Sequence, residues 1–286
     1  MKEVVVLSGK GGTGKTSIVG SFAALAKSKV LVDCDVDAAD LHLLLHPAIR
    51  EKHEFWSGQV ATIDEEKCTR CGLCQELCRF AAIKDFRVDA ISCEGCGFCY
   101  HICPTEAITM KENLAGHWFI SETKYGSLVH ARLGIAQENF GKLVANVRQQ
   151  ARRIAEKEGA DYIINDGPPG IGCPVISSLS GANVALLVTE PTLSGIHDLE
   201  RVLGVCRHFG VPALVCVNKY DINEDITHQI ERYCLHQGVE VTVRIPFDNV
   251  VTEAMIHGLP VVEYARNGVA SQIETLWGSV LKSLAR

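Results

Sequence analysis

The chain has 286 residues, 47% of them hydrophobic and 22% charged, enough for one sizeable core plus a small second module. Its longest apolar runs, such as 4–7 and 185–188, fall far short of the roughly 18 residues that span a bilayer. The formal net charge of −6 supplies no basic field for nucleic acid. Residues 1–3 lead directly into a strand pattern without the zones of a signal peptide, so a cytoplasmic protein is expected, with neither a nucleic acid nor a membrane as partner.

EVVVLS at 3–8 reads as a buried strand that enters the glycine loop GKGGTGKT at 9–16, and an alanine-rich helical pattern follows to Lys27. A second strand is expected over 29–35 and a brief helix over 41–45, ended by Pro47; from 48 to 66 the pattern weakens. Between Cys68 and Cys103 the composition turns abruptly to cysteine and glycine, and strand-like stretches return at HWFIS and SLVHARL. A helix from about Glu138 to Lys157 leads to the strand DYIIND at 161–166 and the turn GPPGIG. Strands at 184–189, 213–218 and 241–246 then alternate with helices near 195–209, 225–236 and 268–285. Such alternation implies an α/β fold with a mostly parallel sheet covered on both faces. The expected division is 1–62, an inserted module at 63–112, and 113–286.

GKGGTGKT fits the phosphate-loop pattern, in which backbone N–H groups of Gly9, Lys10, Gly11, Gly12, Thr13, Gly14, Lys15, Thr16 and Ser17 close around phosphates at a helix N-terminus. Lys15 brings charge to the β and γ phosphates, and Thr16 brings a hydroxyl to Mg²⁺. Asp166, at the end of DYIIND, fits a carboxylate that holds the metal, with GPPG behind it as a turn able to sense the γ-phosphate.

Eight of the thirteen cysteines form two runs, Cys68, Cys71, Cys74, Cys78 and Cys93, Cys96, Cys99, Cys103, repeated at an offset of 25 residues. This C-x2-C-x2-C-x3-C pattern is the bacterial ferredoxin run, in which the fourth thiolate serves the other cluster. The pattern therefore implies one [4Fe-4S] cluster on Cys68, Cys71, Cys74 and Cys103 and another on Cys93, Cys96, Cys99 and Cys78. Arg79 stands where Pro104 follows the second run, a departure that can set the two potentials apart. Two tetrahedral zinc sites are the alternative. The other cysteines, 34, 173, 206, 216 and 234, read as packing thiols, though resemblance to the nitrogenase iron protein, which has a cluster ligand at a similar remove beyond its aspartate, implies a further ligand at Cys173; the histidines show no metal-ligand spacing.

The extra lysine at position 10 makes the loop resemble the deviant Walker A motif of the MinD, ParA and nitrogenase iron-protein group. With the cysteine runs and the stretch IPFDNVVTEAMIHGLPVVE, the chain resembles MinD/ParA/Mrp-superfamily P-loop ATPases carrying an inserted ferredoxin-like domain of α+β type. The resemblance implies a nucleotide-sandwich homodimer in which Lys10 reaches the partner's phosphates. It also implies that Asp35 positions the attacking water and meets the metal's hydration shell, with Asp33 a less certain neighbour, and that Asn218 contacts adenine. NKYD at 218–221 equally resembles a guanine-selecting motif through Asp221, leaving GTP open, though ATP is favoured. Three functions follow: ATP-driven electron transfer through two clusters to an unidentified electron-transfer or client protein, maturation of a metallocofactor, or positioning of the MinD kind. The last would use the C-terminal apolar face of Ile273, Leu276, Trp277, Val280, Leu281 and Leu284 on a membrane. Lys282 and Arg286 are almost the only late basic residues, so core packing is the expectation for that face.

Overall fold

The computed structural model describes residues 1–134, 140–266 and 268–285; the expected helix start at Glu138, and Arg286, lie outside them. The elements run β1 (Lys2–Ser8), α1 (Lys15–Leu25), β2 (Lys29–Asp33), α2 (Leu41–Leu45), β3 (Ala48–Ile63), α3 (Leu73–Glu76), β4 (Ile83–Lys84), β5 (Arg87–Val88), α4 (Phe98–Ile102), β6 (Ile108–Thr123) and β7 (Gly126–Leu133). They continue through α5 (Phe140–Glu158), β8 (Tyr162–Pro169), α6 (Cys173–Leu179), β9 (Val184–Thr189), α7 (Leu193–His208), β10 (Ala213–Asn218), α8 (Glu224–His236), β11 (Val241–Ile245), α9 (Asn249–Ile256), α10 (Val261–Tyr264) and α11 (Val269–Leu284).

Two compact units emerge, one of 1–52, 119–131 and 140–286, the other of 53–118 with 132–139. In the first, β11, β10, β9, β1, β8, β2 and β7 lie side by side in that order and pair in parallel. The sheet order continues through β6 and β3, strands that each run across the division between the units. β6 and β7 are joined through two residues, so they run antiparallel.

The central strand shows why the sheet is covered twice. Val4 and Val6 belong to one core with Phe22, Leu41 and Trp277, whereas Val5 and Leu7 belong to another with Val175, Leu199 and Val215. A strand buried on both faces has no polar side, which is why it reads as a continuous apolar run. Helix α11 lies on the first core: Ile273, Leu276, Trp277, Val280 and Leu284 are all buried, and the Trp277 ring meets Phe22 at 4.8 Å. The expected apolar face is therefore used inside the protein. Helix α6 escapes sequence reading because Gly and Pro surround it, yet Pro174 at its first turn costs no hydrogen bond. Strand β3 escapes because most of it is exposed, without an apolar period.

One polar cluster is buried where β1 begins. The Glu3 carboxylate, on a residue 4% exposed, accepts from Arg148 Nε at 2.8 Å, Arg152 Nε at 3.0 Å and Asn165 Nδ2 at 2.9 Å. Arg148 also donates to the carbonyls of Ser177 and Ser180, tying α5 to α6 and the sheet. Removing one partner of such a pair leaves buried charge poorly compensated. Arg148→Met is expected to cost about 3 kcal/mol, read as a lower urea midpoint at unchanged slope. Arg152→Met, whose side chain is 39% exposed, should cost at most about 1 kcal/mol.

Candidate functional site

The parallel strands β1, β2, β8, β9 and β10 deliver their C-terminal ends to one edge of the sheet, the edge where open α/β sheets bind ligands. The loop after β1 turns on Gly12 and Gly14, at φ 77° and 89°, a backbone that side chains other than hydrogen strain. Gly14 is also fixed by space, since a Cβ there would lie 2.5 Å from Asn218 Nδ2. At Gly9 a Cβ would meet Asp198 Cβ at 2.1 Å, so α7 packs directly on the loop. Helix α1 begins at Lys15 with no acidic residue in its first turn, leaving its N–H groups and dipole available to an anion.

Beneath the loop lie the expected aspartates. Asp33 and Asp166 sit side by side on paired strands, each 1% exposed. Asp33 accepts from the N–H groups of Asp35 and Leu41 at 3.1 and 3.3 Å, so its carboxylate shapes the loop after β2. Desolvation, then Asp166, push its pKa well above the carboxylate range. Asp35 accepts from Ala38 N, and burial raises its pKa against the pull of Lys15. Asp166 is raised to about 6 by burial, partly offset by Lys15 and a hydrogen bond from the Thr16 side chain; its Oδ1 has no partner. A buried carboxylate oxygen without a donor, next to a threonine hydroxyl and a further carboxylate, is a chemical set that suits Mg²⁺. No three His, Cys, Asp or Glu among the described residues converge on a point, and Mg²⁺ needs no such cage, since waters and phosphates complete its shell.

Residues that the sequence left unmarked complete the loop's surroundings. Lys10 Nζ lies 3.3 Å from both Glu190 Oε2 and Thr192 Oγ1, and Lys219 Nζ reaches Glu190 Oε1 at 2.5 Å and Gly12 O at 3.3 Å. Their signal was positional: Glu190 directly follows the strand that adjoins β1. Asn218 donates from Nδ2 to Thr13 O at 2.8 Å and accepts from Lys219 N, buttressing the loop. Asp221 accepts from Phe247 N at 2.7 Å, which brings the loop after β11 to the end of β10. Cys173 opens α6 and is exposed, whereas Cys34, Cys206, Cys216 and Cys234 are buried.

Among the described residues of the second unit, Ala61, Cys74, Ile83 and Ile108 form a core cluster, with Cys78, Cys93, Cys99 and Cys103 packed against it. The unit's backbone repeats with the cysteines: Gly72 and Gly97 are left-handed before α3 and α4, as are Ala81 and Glu106. The halves also exchange equivalent hydrogen bonds, Asp64 N to Ala107 O and Asp89 N to Ala82 O, both 2.8 Å. Cys68, Cys71, Cys74 and Cys103 border one cavity of about 10 Å³. Cys78, Cys93, Cys96 and Cys99, joined by Cys74 and Arg79, border another of about 370 Å³. Burial raises the thiols of Cys74 and Cys99. At Cys103 desolvation acts upward too, but N–H groups of Thr105, Ala107 and Ile108 with the Thr105 hydroxyl bring the net shift below the usual value.

A glycine loop between strand and helix, with a buried lysine and acidic strand ends beneath it on a mostly parallel sheet, defines a P-loop nucleoside triphosphatase. The chain belongs to the CobQ/CobB/MinD/ParA nucleotide-binding family, whose model matches residues 4–261, and is accordingly a nucleotide-binding ATPase of the MinD/ParA type. It is 34% identical over 224 residues to a protein of Methanocaldococcus jannaschii named uncharacterized protein MJ0578, covering 77% of this chain and 79% of the other. It is 23% identical to the septum site-determining protein MinD of Bacillus subtilis over 92% of this chain and 83% of that one. Among solved structures, Pyrococcus horikoshii MinD complexed with Mg-ADP superposes with a TM-score of 0.58 at 19% identity, covering 98% and 95% of the two chains, a likeness of fold.

A carboxyl raised on folding binds its proton more tightly in the native state. Between the ordinary 3.8 and about 6, stability therefore falls as pH rises, and the deficit persists at higher pH. Asp166→Asn should raise the stability of the nucleotide-free protein at pH 7.5 by about 1–3 kcal/mol and flatten its loss from pH 4 to 6. The stabilisation that MgATP gives the wild type should disappear in the same thermal melts.

Proposed function

We propose that the chain couples its ATPase cycle to electron transfer through two [4Fe-4S] clusters. The observation that carries this reading is that the crossed sets Cys68, Cys71, Cys74, Cys103 and Cys78, Cys93, Cys96, Cys99 each border a cavity, Cys74 reaching both, with backbone hydrogen bonds exchanged between the halves. Thiols around a cubane bind separate irons, so they ring a space and need not meet at a point. The nearly closed cavity would have to open as its thiols rotate outward. The cluster-bearing module is 63–112, set between P-loop segments 1–62 and 113–286. Bound clusters supply one-electron chemistry; the protein's part is to hold them, donate N–H groups to sulfur as at Cys103, and limit water.

In the nucleotide site, Lys15 and Lys10 offset the charge of the transferred phosphoryl group, Thr16, Asp35 and Asp166 hold Mg²⁺, and Asp35 orients the attacking water. Asn218, with the loop at Phe247, forms the base end of the site; ATP is favoured because one oxygen of Asp221 is already engaged by Phe247 N. The working unit is a nucleotide-sandwich homodimer. Solved relatives include a MinC:MinD cell division complex of Aquifex aeolicus, and relatives named MinD favour a positioning role as a second reading. Against it stand the burial of the α11 face in the core and the presence of the cysteine unit.

Anaerobic reconstitution should load about eight irons per chain. Cys78→Ser should then remove the same EPR signal as Cys93→Ser, and Cys103→Ser the same as Cys68→Ser; grouping by run would overturn the crossed assignment. A redox titration should show one midpoint shifting with MgATP in the wild type and not in Lys15→Ala. Fixed potentials would move the reading to a maturation factor that acts through its client, and failure to bind iron would remove the cluster reading.

A further inference from the structure

The arrangement around Lys10 contains an anion that nucleotide chemistry does not require. Glu190 is largely shielded, its side chain 14% exposed, and its two oxygens hold different ammonium groups, Oε2 that of Lys10 at 3.3 Å and Oε1 that of Lys219 at 2.5 Å. Both lysines belong to the loop's surroundings: Lys10 lies within it, and Lys219 grips the Gly12 carbonyl at 3.3 Å. Thr192, which caps α7 by accepting from Gly195 N at 3.0 Å, accepts from Lys10 as well, so the whole turn between β9 and α7 is fastened to the loop. Lys15, by contrast, acts on Asp35 and Asp166.

We propose that Glu190 is a built-in competitor of the nucleotide's phosphates for Lys10, and so sets how strongly the loop prefers a nucleoside triphosphate to a diphosphate. An ammonium paired with a carboxylate on a shielded surface is withdrawn from any other anion until that anion offers more charge. A diphosphate satisfies Lys15 and the helix N-terminus and leaves Lys10 on Glu190. The third phosphate adds the charge that draws Lys10 off, which releases the β9–α7 turn at the same moment. Glu190 is thus a positioning residue, acting through Lys10. The proposal rests on the nucleotide reading of the loop and is independent of the clusters.

The test is a titration of the full chain with fluorescent ATP and ADP analogues in Mg²⁺, for wild type, Glu190→Gln, Lys10→Ala, the double variant and Lys15→Ala. Glu190→Gln should tighten ATP about fivefold, the yield of freeing one partly shielded ion pair, and change ADP little. In the Lys10→Ala background the same substitution should do nothing. A merely structural Glu190 would shift ATP and ADP together, or act equally with Lys10 absent, and either result overturns the proposal. Should Glu190→Gln fail to fold, Glu190→Asp, which keeps the charge but withdraws it from Lys10, should move the ATP-to-ADP ratio in the same direction by less; an unmoved ratio overturns it. If Lys15→Ala leaves affinity untouched, the nucleotide reading itself is lost. If that control abolishes binding while Glu190→Gln is silent, only the role of Glu190 falls.

Discussion

Strand β1 can exist only between two layers. Val4 to Leu7 are fully enclosed, alternate residues entering different cores, and neither face could be left to water without exposing valine or leucine. That requirement recruits α1 and α11 to one side and α6 and α7 to the other. It also fixes the direction in which the chain must leave the sheet after Ser8. The glycine loop is where that exit is made, with Gly9 and Gly14 crowded by Asp198 and Asn218 and left without room for a side chain. At the strand's opposite end, the buried Glu3 holds the buried Arg148 and the partly exposed Arg152, so both ends of β1 are pinned before any ligand arrives.

Electrostatics at the loop is deliberately unbalanced. Asp33 and Asp166 are adjacent and desolvated, and the native fold tolerates them because a lysine and several N–H groups lie close. A cation delivered with a nucleotide would relieve the stress that folding alone leaves in place. On the outer side of the loop the imbalance is reversed, with two lysines on one carboxylate. Opposite strain on the two sides of one turn makes its conformation responsive to an anion–cation pair, which a nucleotide with its metal is.

Much of this was legible in the residues. The buried strands announced themselves as unbroken apolar runs, and the loop and the cysteine repeat were visible by spacing alone. What stayed hidden had few apolar side chains to reveal it or carried signals that usually break structure. Exposed β3 reads REKHEFW, with no period to find; α6 begins among glycines and prolines; α9 and α10 are short pieces set by the Asp248 cap and Pro260. Glu190, Thr192 and Lys219 became site residues only because strand order places β9 beside β1 and β10 next to β9, a fact about the sheet that no local window contains. The role of Asn218 also changed in emphasis, because its amide reaches the loop carbonyl before it reaches any base.

The distribution of thiols has a practical consequence. Four of the five cysteines outside the two runs are buried, and burial pushes Cys34, Cys206, Cys216 and Cys234 away from the thiolate form. Cys173 alone among those five is exposed, at the first residue of the helix that follows the Asp166 strand. Alkylating reagents react with accessible thiolate, so a maleimide dye applied while the eight other thiols are occupied would settle at one place without any engineering. The native sequence thus carries its own attachment point for a reporter, one helix start beyond the GPPG turn that follows Asp166.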